Sequence, residues 1–177
     1  MPRCAAWLAG LALCVLGVQH AQALDIRGVT VDEPVNCQYV RSLDVRTGTY
    51  AQSCENGVAR WFTEISFLNG RAGLWVSQSS KGIALTVSVS SFNYRLAVDA
   101  FTEKYGPPVV ERAIIQNRAG ASFDQEISTW RDGDKMLRIS LHGTRIGEPS
   151  LILIGRAAIV NAEEVRRETL KKSGGNI

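Results

Sequence analysis

Residues Ser91 to Asn117 read SFNYRLAVDAFTEKYGPPVVERAIIQN, a helical pattern followed directly by a strand pattern. Apolar side chains recur in the first half at steps of three and four residues, which places them on one face of a helix. These residues are Tyr94, Ala97, Val98, Phe101 and Tyr105. Asn93 or Ser91 can supply the N-cap oxygen, and Gly106 can adopt the left-handed conformation that ends a helix. The spacing therefore predicts one amphipathic helix over residues 93–105.

The two prolines after Gly106 prevent the helix from continuing and favour extended backbone. Val109 to Gln116 is then rich in apolar and β-branched residues, as in a strand. A single amphipathic helix between two groups of strands predicts an α+β fold. We expect a curved antiparallel sheet of about six to seven strands packed on one central helix, with a second helix at the C-terminus.

The other strands are predicted from the alternation of apolar and polar residues and from turn dipeptides between them. Asn69-Gly70 and Asp132-Gly133 are typical of tight hairpins, because both central residues accept positive φ. Apolar residues on both faces of 151–154 favour a central or covered strand. The predicted strands span 60–68, 71–78, 83–90, 109–117, 123–131, about 137–141 and 151–154, with a further candidate at 24–31.

The N-terminus has the pattern of a secretory signal peptide. A short basic head ending at Arg3 precedes an uncharged apolar run over 5–18, and Ala21-x-Ala23 fits a cleavage site. The run is too short for a transmembrane helix, which needs about 20 residues. We therefore expect cleavage near Ala23 and a periplasmic or secreted product. The predicted division is a signal peptide over 1–23, one α+β domain over 24–160, and a C-terminal helix with a frayed tail over 161–177.

A lipid anchor at Cys14 is disfavoured, because lipoprotein processing requires a small residue before the cysteine and Leu13 is bulky. The whole chain carries a net charge of +3, and loss of Arg3 would leave +2. A balance this close to neutrality argues against nucleic acid as the main partner. The expected partner is therefore another periplasmic protein or an envelope component.

Cys37 and Cys54 are the two cysteines left after cleavage, and an even pair in an exported protein indicates one disulfide. The intervening sequence lacks a periodic pattern and predicts a loop with one short element at most. A metal-binding or reactive thiol pair is the alternative. The absence of a C-x-x-C spacing and the exported context favour the disulfide.

The sequence predicts no catalytic residue, no metal site and no cofactor. His142 is the sole histidine after cleavage, and no nucleophile or phosphate-loop motif is present. Carboxylates cluster near one hairpin and leave a hydrolase with paired carboxylates as a third hypothesis, although charges on an open sheet face are more often solubilising. They are Asp124, Glu126, Asp132 and Asp134.

Tryptophans offer a better indication of function, because an exposed indole beside small hydroxyl residues forms a contact surface of low conformational entropy. Trp130 has the opposite parity to Phe123 and Ile127. If those two face the helix, Trp130 faces away from it. The candidate partner surface on the sheet is then Trp130, Thr86, Ser88 and Ser128. The alternative is that Trp130 packs beneath the C-terminal helix or the loop between the cysteines.

A second hypothesis is a carrier of a small apolar ligand, with a pocket between the helix and the sheet. Its candidate residues lie on the apolar face of the helix: Tyr94, Val98 and Phe101. A cavity beneath them would support this carrier, whereas a filled core would favour protein binding.

Three features of the chain together resemble a pattern in small Gram-negative periplasmic proteins of unassigned function. They are the N-terminal export signal, the cysteine pair, and the order helix, Lys104-Tyr105-Gly106-Pro107, strand, Trp130, Gly133, strand. Some of these resemble the β-lactamase-inhibitor-like fold, in which a sheet cups helices and binds another protein. The resemblance covers about residues 91–141 and implies a protein-binding role, as an inhibitor or accessory factor. The three strands that precede the helix here depart from the helix-first order of that fold, and no functional residue carries over.

Overall fold

The structure is a computed structural model that describes residues 23–45, 54 and 58–160. The predicted signal peptide up to Gln22 and the predicted C-terminal helix from Asn161 onward lie outside the described residues. The elements are, in chain order, α1 (Cys37–Leu43), β1 (Arg60–Phe67), β2 (Gly70–Gln78), β3 (Ala84–Ser90), α2 (Tyr94–Tyr105), β4 (Val109–Gln116), β5 (Ser122–Asp132), β6 (Lys135–Ser140) and β7 (Ser150–Ile154).

The seven strands form one open, curved sheet in the order β1-β2-β3-β7-β6-β5-β4, with every neighbouring pair antiparallel. The predicted α+β class is therefore confirmed. β7 lies in the middle, between β3 and β6. Its apolar residues match this place, because Leu151 and Leu153 are buried on one face while Ile152 and Ile154 are half-buried on the other.

α2 begins and ends as the sequence predicts. The Asn93 side chain accepts a hydrogen bond of 3.1 Å from the backbone N–H of Leu96, and Gly106 ends the helix with φ of 82°. The buried face of the helix contains Tyr94, Ala97 and Phe101. Burying a large apolar side chain contributes about 1.5–3 kcal/mol, so this face holds α2 on the sheet.

The segment Leu24–Val31 is not a strand, and that prediction was wrong. Ile26 and Val29 pair with each other through two backbone hydrogen bonds of 3.0 Å, with a tight turn at Arg27 and Gly28 between them. Four side chains of the segment are buried in the core: Leu24, Ile26, Val29 and Val31. Alternation of apolar residues arises here from a turn folded onto the core and not from sheet pairing.

The disulfide between Cys37 and Cys54 is present, with an S–S distance of 2.08 Å. Cys37 begins the short helix α1, whose N-cap is the Asn36 side chain. Val40 on this helix is buried in the core. The bridge therefore fastens residue 54 to a helix that is itself packed on the domain.

Candidate functional site

The sheet has two faces, and register assigns each side chain to one of them. The face toward α2 holds Trp130, whose ring centroid lies 6.0 Å from that of Phe101 on the helix. Directly paired residues of antiparallel strands point to the same side, and successive residues point to opposite sides. One row of paired residues therefore crosses the opposite face, which we call the open face. From β1 to β4 in sheet order, the row is Phe62, Trp75, Ser88, Ile152, Arg138, Thr129 and Val109.

The open face contains a cleft of about 1140 Å³. The cleft runs from Trp75 across the middle strands to the end of the sheet, where the turn at Leu68 and the loop 143–149 bound it. Six residues of the open face line it, together with His142 just beyond the end of β6. The six are Trp75, Ser88, Ser90, Ile152, Arg138 and Ser140. An indole, small hydroxyls and one guanidinium thus converge in one concave site, which is the usual composition of a binding cleft.

Trp75 is the exposed indole of this site, with 38% of its surface accessible. Its ring lies against Phe62 with centroids 4.5 Å apart, and the guanidinium carbon of Arg60 lies 5.3 Å from its centroid. These neighbours hold the ring in place before any partner binds. A rigid aromatic side chain loses little conformational entropy on binding and is a frequent anchor of protein interfaces.

Arg138 lies two strands from Ser88, in the floor of the cleft. Its Nε is buried and has no hydrogen-bond partner, and among the described residues no carboxylate forms an ion pair with its guanidinium. Across the strand pair, Thr129 is 96% buried, and its Oγ1 also lacks a partner. A buried polar group without a partner costs about 1–3 kcal/mol, and more if it is charged.

The residues of the predicted partner surface lie on two different faces of the sheet. Thr86 and Ser88 lie on the open face and are half-buried. Trp130 and Ser128 point toward α2 and are 4% and 0% exposed, so neither can contact a partner. The predicted parity requires Phe123 and Ile127 to face the helix, but these two residues point to the open face. Trp130 packs under the end of α2. The alternative placement beneath the C-terminal helix or the cysteine loop concerns segments outside the described residues.

The predicted apolar pocket is mostly filled by side chains. Tyr94 is buried, and its hydroxyl donates to Glu126 Oε1 at 3.0 Å. Val98 is half-buried against the core. Phe101 is 7% exposed and packs against Phe67, Tyr105 and Trp130. Phe101 also borders a cleft of about 410 Å³, but that cleft lies beside Asp25 and Lys104 and has a charged rim.

The four clustered carboxylates do not all share one cleft: Asp124 and Glu126 line one, and Asp132 and Asp134 line another. Glu126 faces α2, where Arg112 Nε donates to it at 3.0 Å and Arg95 lies 3.7 Å away. The hydrogen bond from Arg112 outweighs burial and, with Tyr94 and Arg95, holds the pKa of Glu126 below its ordinary value. Asp134 pairs with Arg156 at 3.2 Å, on the other side of the hairpin. A carboxyl that serves as a general acid needs a raised pKa, so Glu126 is unsuited to that role.

Within the ranges that the structure describes, no group of three or more His, Cys, Asp or Glu side chains is placed to hold a metal ion. No helix among these residues is both long and apolar enough to cross a membrane. Comparison with known proteins adds no relative: no family model, no curated protein and no solved structure matches this chain.

Arg138 and Trp75 are site residues that the sequence prediction does not include, although the apolar residues on either side of each indicate which face it occupies. Leu137 and Ile139 are apolar, so Arg138 between them must point to the opposite face. Trp75 stands between Leu74 and Val76 in the same way. The pairing of β6 with β7 and of β7 with β3, which brings the two residues to one face, is visible only in the folded sheet.

Proposed function

We propose that this protein is an exported, non-catalytic binding protein that attaches to another periplasmic protein through the open face of its sheet. An inhibitor or an accessory factor would act in this way. The observation that carries the proposal is the cleft of about 1140 Å³ on that face, with the exposed Trp75 at one side of it. The sequence pattern of the N-terminus and the disulfide support the exported setting.

The chemistry of the surface supports a protein partner. Trp75 supplies an anchor, and the neighbouring strands offer small hydroxyls at Ser88, Ser90 and Ser140 for hydrogen bonds. Truncation of a tryptophan anchor typically costs 2 kcal/mol or more, roughly a thirtyfold loss of affinity. The open face therefore combines an aromatic anchor with polar surroundings, as protein interfaces do.

Packing beneath α2 argues against the alternative carrier of a small apolar ligand. That carrier requires space under Tyr94, Val98 and Phe101, and the ring of Phe101 instead contacts three other aromatic rings. Mass spectrometry of the protein purified under native conditions distinguishes the two functions. A stoichiometric bound lipid or metabolite would favour the carrier.

Quantitative co-purification from a periplasmic extract of the native host tests the proposal. We compare the unchanged chain with Trp75→Ala and with Leu96→Ala, which removes an apolar side chain that is 46% exposed on α2. The unchanged chain and Leu96→Ala should retain one stoichiometric partner, and Trp75→Ala should lose it. Equal recovery with all three chains would place the interface elsewhere and contradict the proposal.

A further inference from the structure

The guanidinium of Arg138 is set in the floor of the cleft without the counter-charge that such a position requires. Its Nε is buried and unpartnered, and no described carboxylate pairs with it. Even two exposed arginines have a carboxylate partner: Arg112 bonds to Glu126, and Arg156 bonds to Asp134. A half-buried cation with no anionic partner among the described residues is expected to take one from outside.

The charge inside the cleft indicates which anion fits. Among the described residues, Arg138 is the one arginine or lysine side chain that lines it, and Glu148, at its rim, lies 3.6 Å from Arg145. The Nδ1 of His142 accepts a hydrogen bond of 3.0 Å from the Gly147 N–H, so this nitrogen is occupied. One guanidinium balances one negative charge. A carboxylate therefore fits better than a phosphate dianion, which needs further cations.

The surroundings of Arg138 indicate what carries that carboxylate. Ile152 is directly paired with Arg138, and Trp75 lies in the same row of the open face. An apolar group next to the carboxylate would therefore bury its surface against these two side chains. An acidic side chain two residues from an apolar one on an extended peptide segment has this chemistry, because alternate residues of an extended chain point to the same side.

We propose that Arg138 is the anion-binding residue of the cleft and that it takes one carboxylate, carried by an acidic side chain of the partner protein two residues from an apolar or aromatic one. The source of the carboxylate rests on the proposed function. The assignment of a carboxylate site to Arg138 rests on the cleft alone.

Small peptide probes test the carboxylate site without a known partner. The full chain, labelled with ¹⁵N, is titrated with acetyl-Phe-Ala-Glu-amide and with its neutral match acetyl-Phe-Ala-Gln-amide, while the Nε–Hε signal of Arg138 is followed by NMR. The Glu peptide should shift this signal saturably and bind about tenfold more tightly than the Gln peptide, since a charge-assisted hydrogen bond adds roughly 1.5 kcal/mol. Equal binding of the two peptides, or no saturable binding of the Glu peptide, overturns the proposal.

Matched variants show whether the arginine itself is responsible. Arg138→Gln should abolish the preference for the Glu peptide, followed through backbone amide signals. Arg131→Gln, which removes an exposed arginine of the open face outside the cleft lining, should keep that preference. An equal loss of the preference for the Glu peptide in both variants would show that general surface charge causes it, and would overturn the assignment to Arg138. Phenyl phosphate is titrated in parallel, and binding at Arg138 tighter than that of the Glu peptide would overturn the assignment to a carboxylate.

Stability supplies a readout that does not depend on any probe. Because the unpaired guanidinium is maintained at a cost to the fold, Arg138→Met should raise the melting temperature of the free chain by about 2–4 °C. A lower melting temperature would mean that the guanidinium stabilises the domain, and the proposal would fail. Arg138→Lys keeps the charge and should retain part of the peptide preference.

The experiments separate this inference from the proposed function. A partner protein that depends on Trp75 but is indifferent to Arg138→Gln would leave the proposed function standing and remove the carboxylate site. Binding of the Glu peptide at Arg138 with no protein partner recovered would leave the carboxylate site standing and remove the proposed function.

Discussion

The indole Nε1 of Trp130 donates a hydrogen bond of 2.8 Å to the carbonyl oxygen of Gly106, the residue that ends α2. Carbonyl groups at the end of a helix lack partners within the helix, and this bond satisfies one of them from the sheet. The ring of the same tryptophan packs against Phe101 one turn earlier. One side chain of β5 therefore fixes both the buried face of α2 and the place where it ends.

Replacement of Trp130 by phenylalanine should destabilise the domain. The variant keeps a ring against Phe101 but leaves the Gly106 carbonyl without its donor, which costs about 1 kcal/mol, with a further loss from the smaller ring. Thermal unfolding should show a melting temperature lower by about 2–4 °C or more. The control is Trp75→Phe on the open face, which we expect to change the melting temperature by far less. Equal shifts in the two variants would contradict the role of the Trp130 hydrogen bond.

The Asp25 carboxylate should make stability sensitive to acid. Burial acts to raise its pKa, but hydrogen bonds from the Lys104 ammonium, the Gly28 N–H and the Tyr105 hydroxyl together hold the pKa below its ordinary value of 3.8. A depressed carboxyl pKa stabilises the fold above that ordinary value, and the contribution is lost as the pH falls through the lower folded pKa.

Lys104→Met tests this linkage. The variant removes the ammonium that lies 2.5 Å from Asp25 Oδ2, so it should unfold more easily than the unchanged chain at neutral pH. Because Asp25 is protonated in both chains at low pH, the difference in the free energy of unfolding should shrink below pH 3.8. Urea unfolding at a series of pH values measures it. The control is Lys81→Met at an exposed position, where we expect no such pH dependence. A constant difference for Lys104→Met would refute the linkage.

Reduction of the disulfide should destabilise the chain without changing the sheet. Cys37 and Cys54 are 17 residues apart, and closing a loop of that length removes unfolded-state entropy worth about 3 kcal/mol in the chain-entropy model. The Cys37→Ala/Cys54→Ala variant should therefore unfold at lower urea concentration while its far-ultraviolet circular dichroism stays similar. Thiol titration of the unfolded, unreduced protein should find neither cysteine free. Two reactive thiols there would contradict the bridge.

Local sequence was sufficient for most of the elements. Asn93, Gly106 and the two prolines after it set the ends of α2, because capping and φ restrictions act within a few residues. Asn69 and Gly133, both at positive φ, lie in the turns between β1 and β2 and between β5 and β6. The strand predicted over 24–31 was wrong because the same alternation of apolar residues occurs in a strand and in a tight turn folded onto the core.

The candidate site was harder to predict, because it depends on which face each strand presents. A single wrong assumption about Phe123 and Ile127 exchanged the two faces of β5 and placed Trp130 and Ser128 on the partner surface. Alternation along a strand fixes two sets of residues but does not say which set is toward the helix. On β2 the flanking Leu74 and Val76 resolve that choice, and Trp75 follows as the exposed indole.

The sequence by itself determined the α+β class, the ends of α2, the hairpins and the cysteine pair, since each of these follows from contacts or conformational limits between residues close along the chain. Only the tertiary structure decided that β7 enters between β3 and β6 and so brings Arg138 and Trp75 to one cleft. The physical reason is that the pairing of distant strands depends on the apolar surface that the whole sheet buries. A local sequence pattern does not determine that free energy.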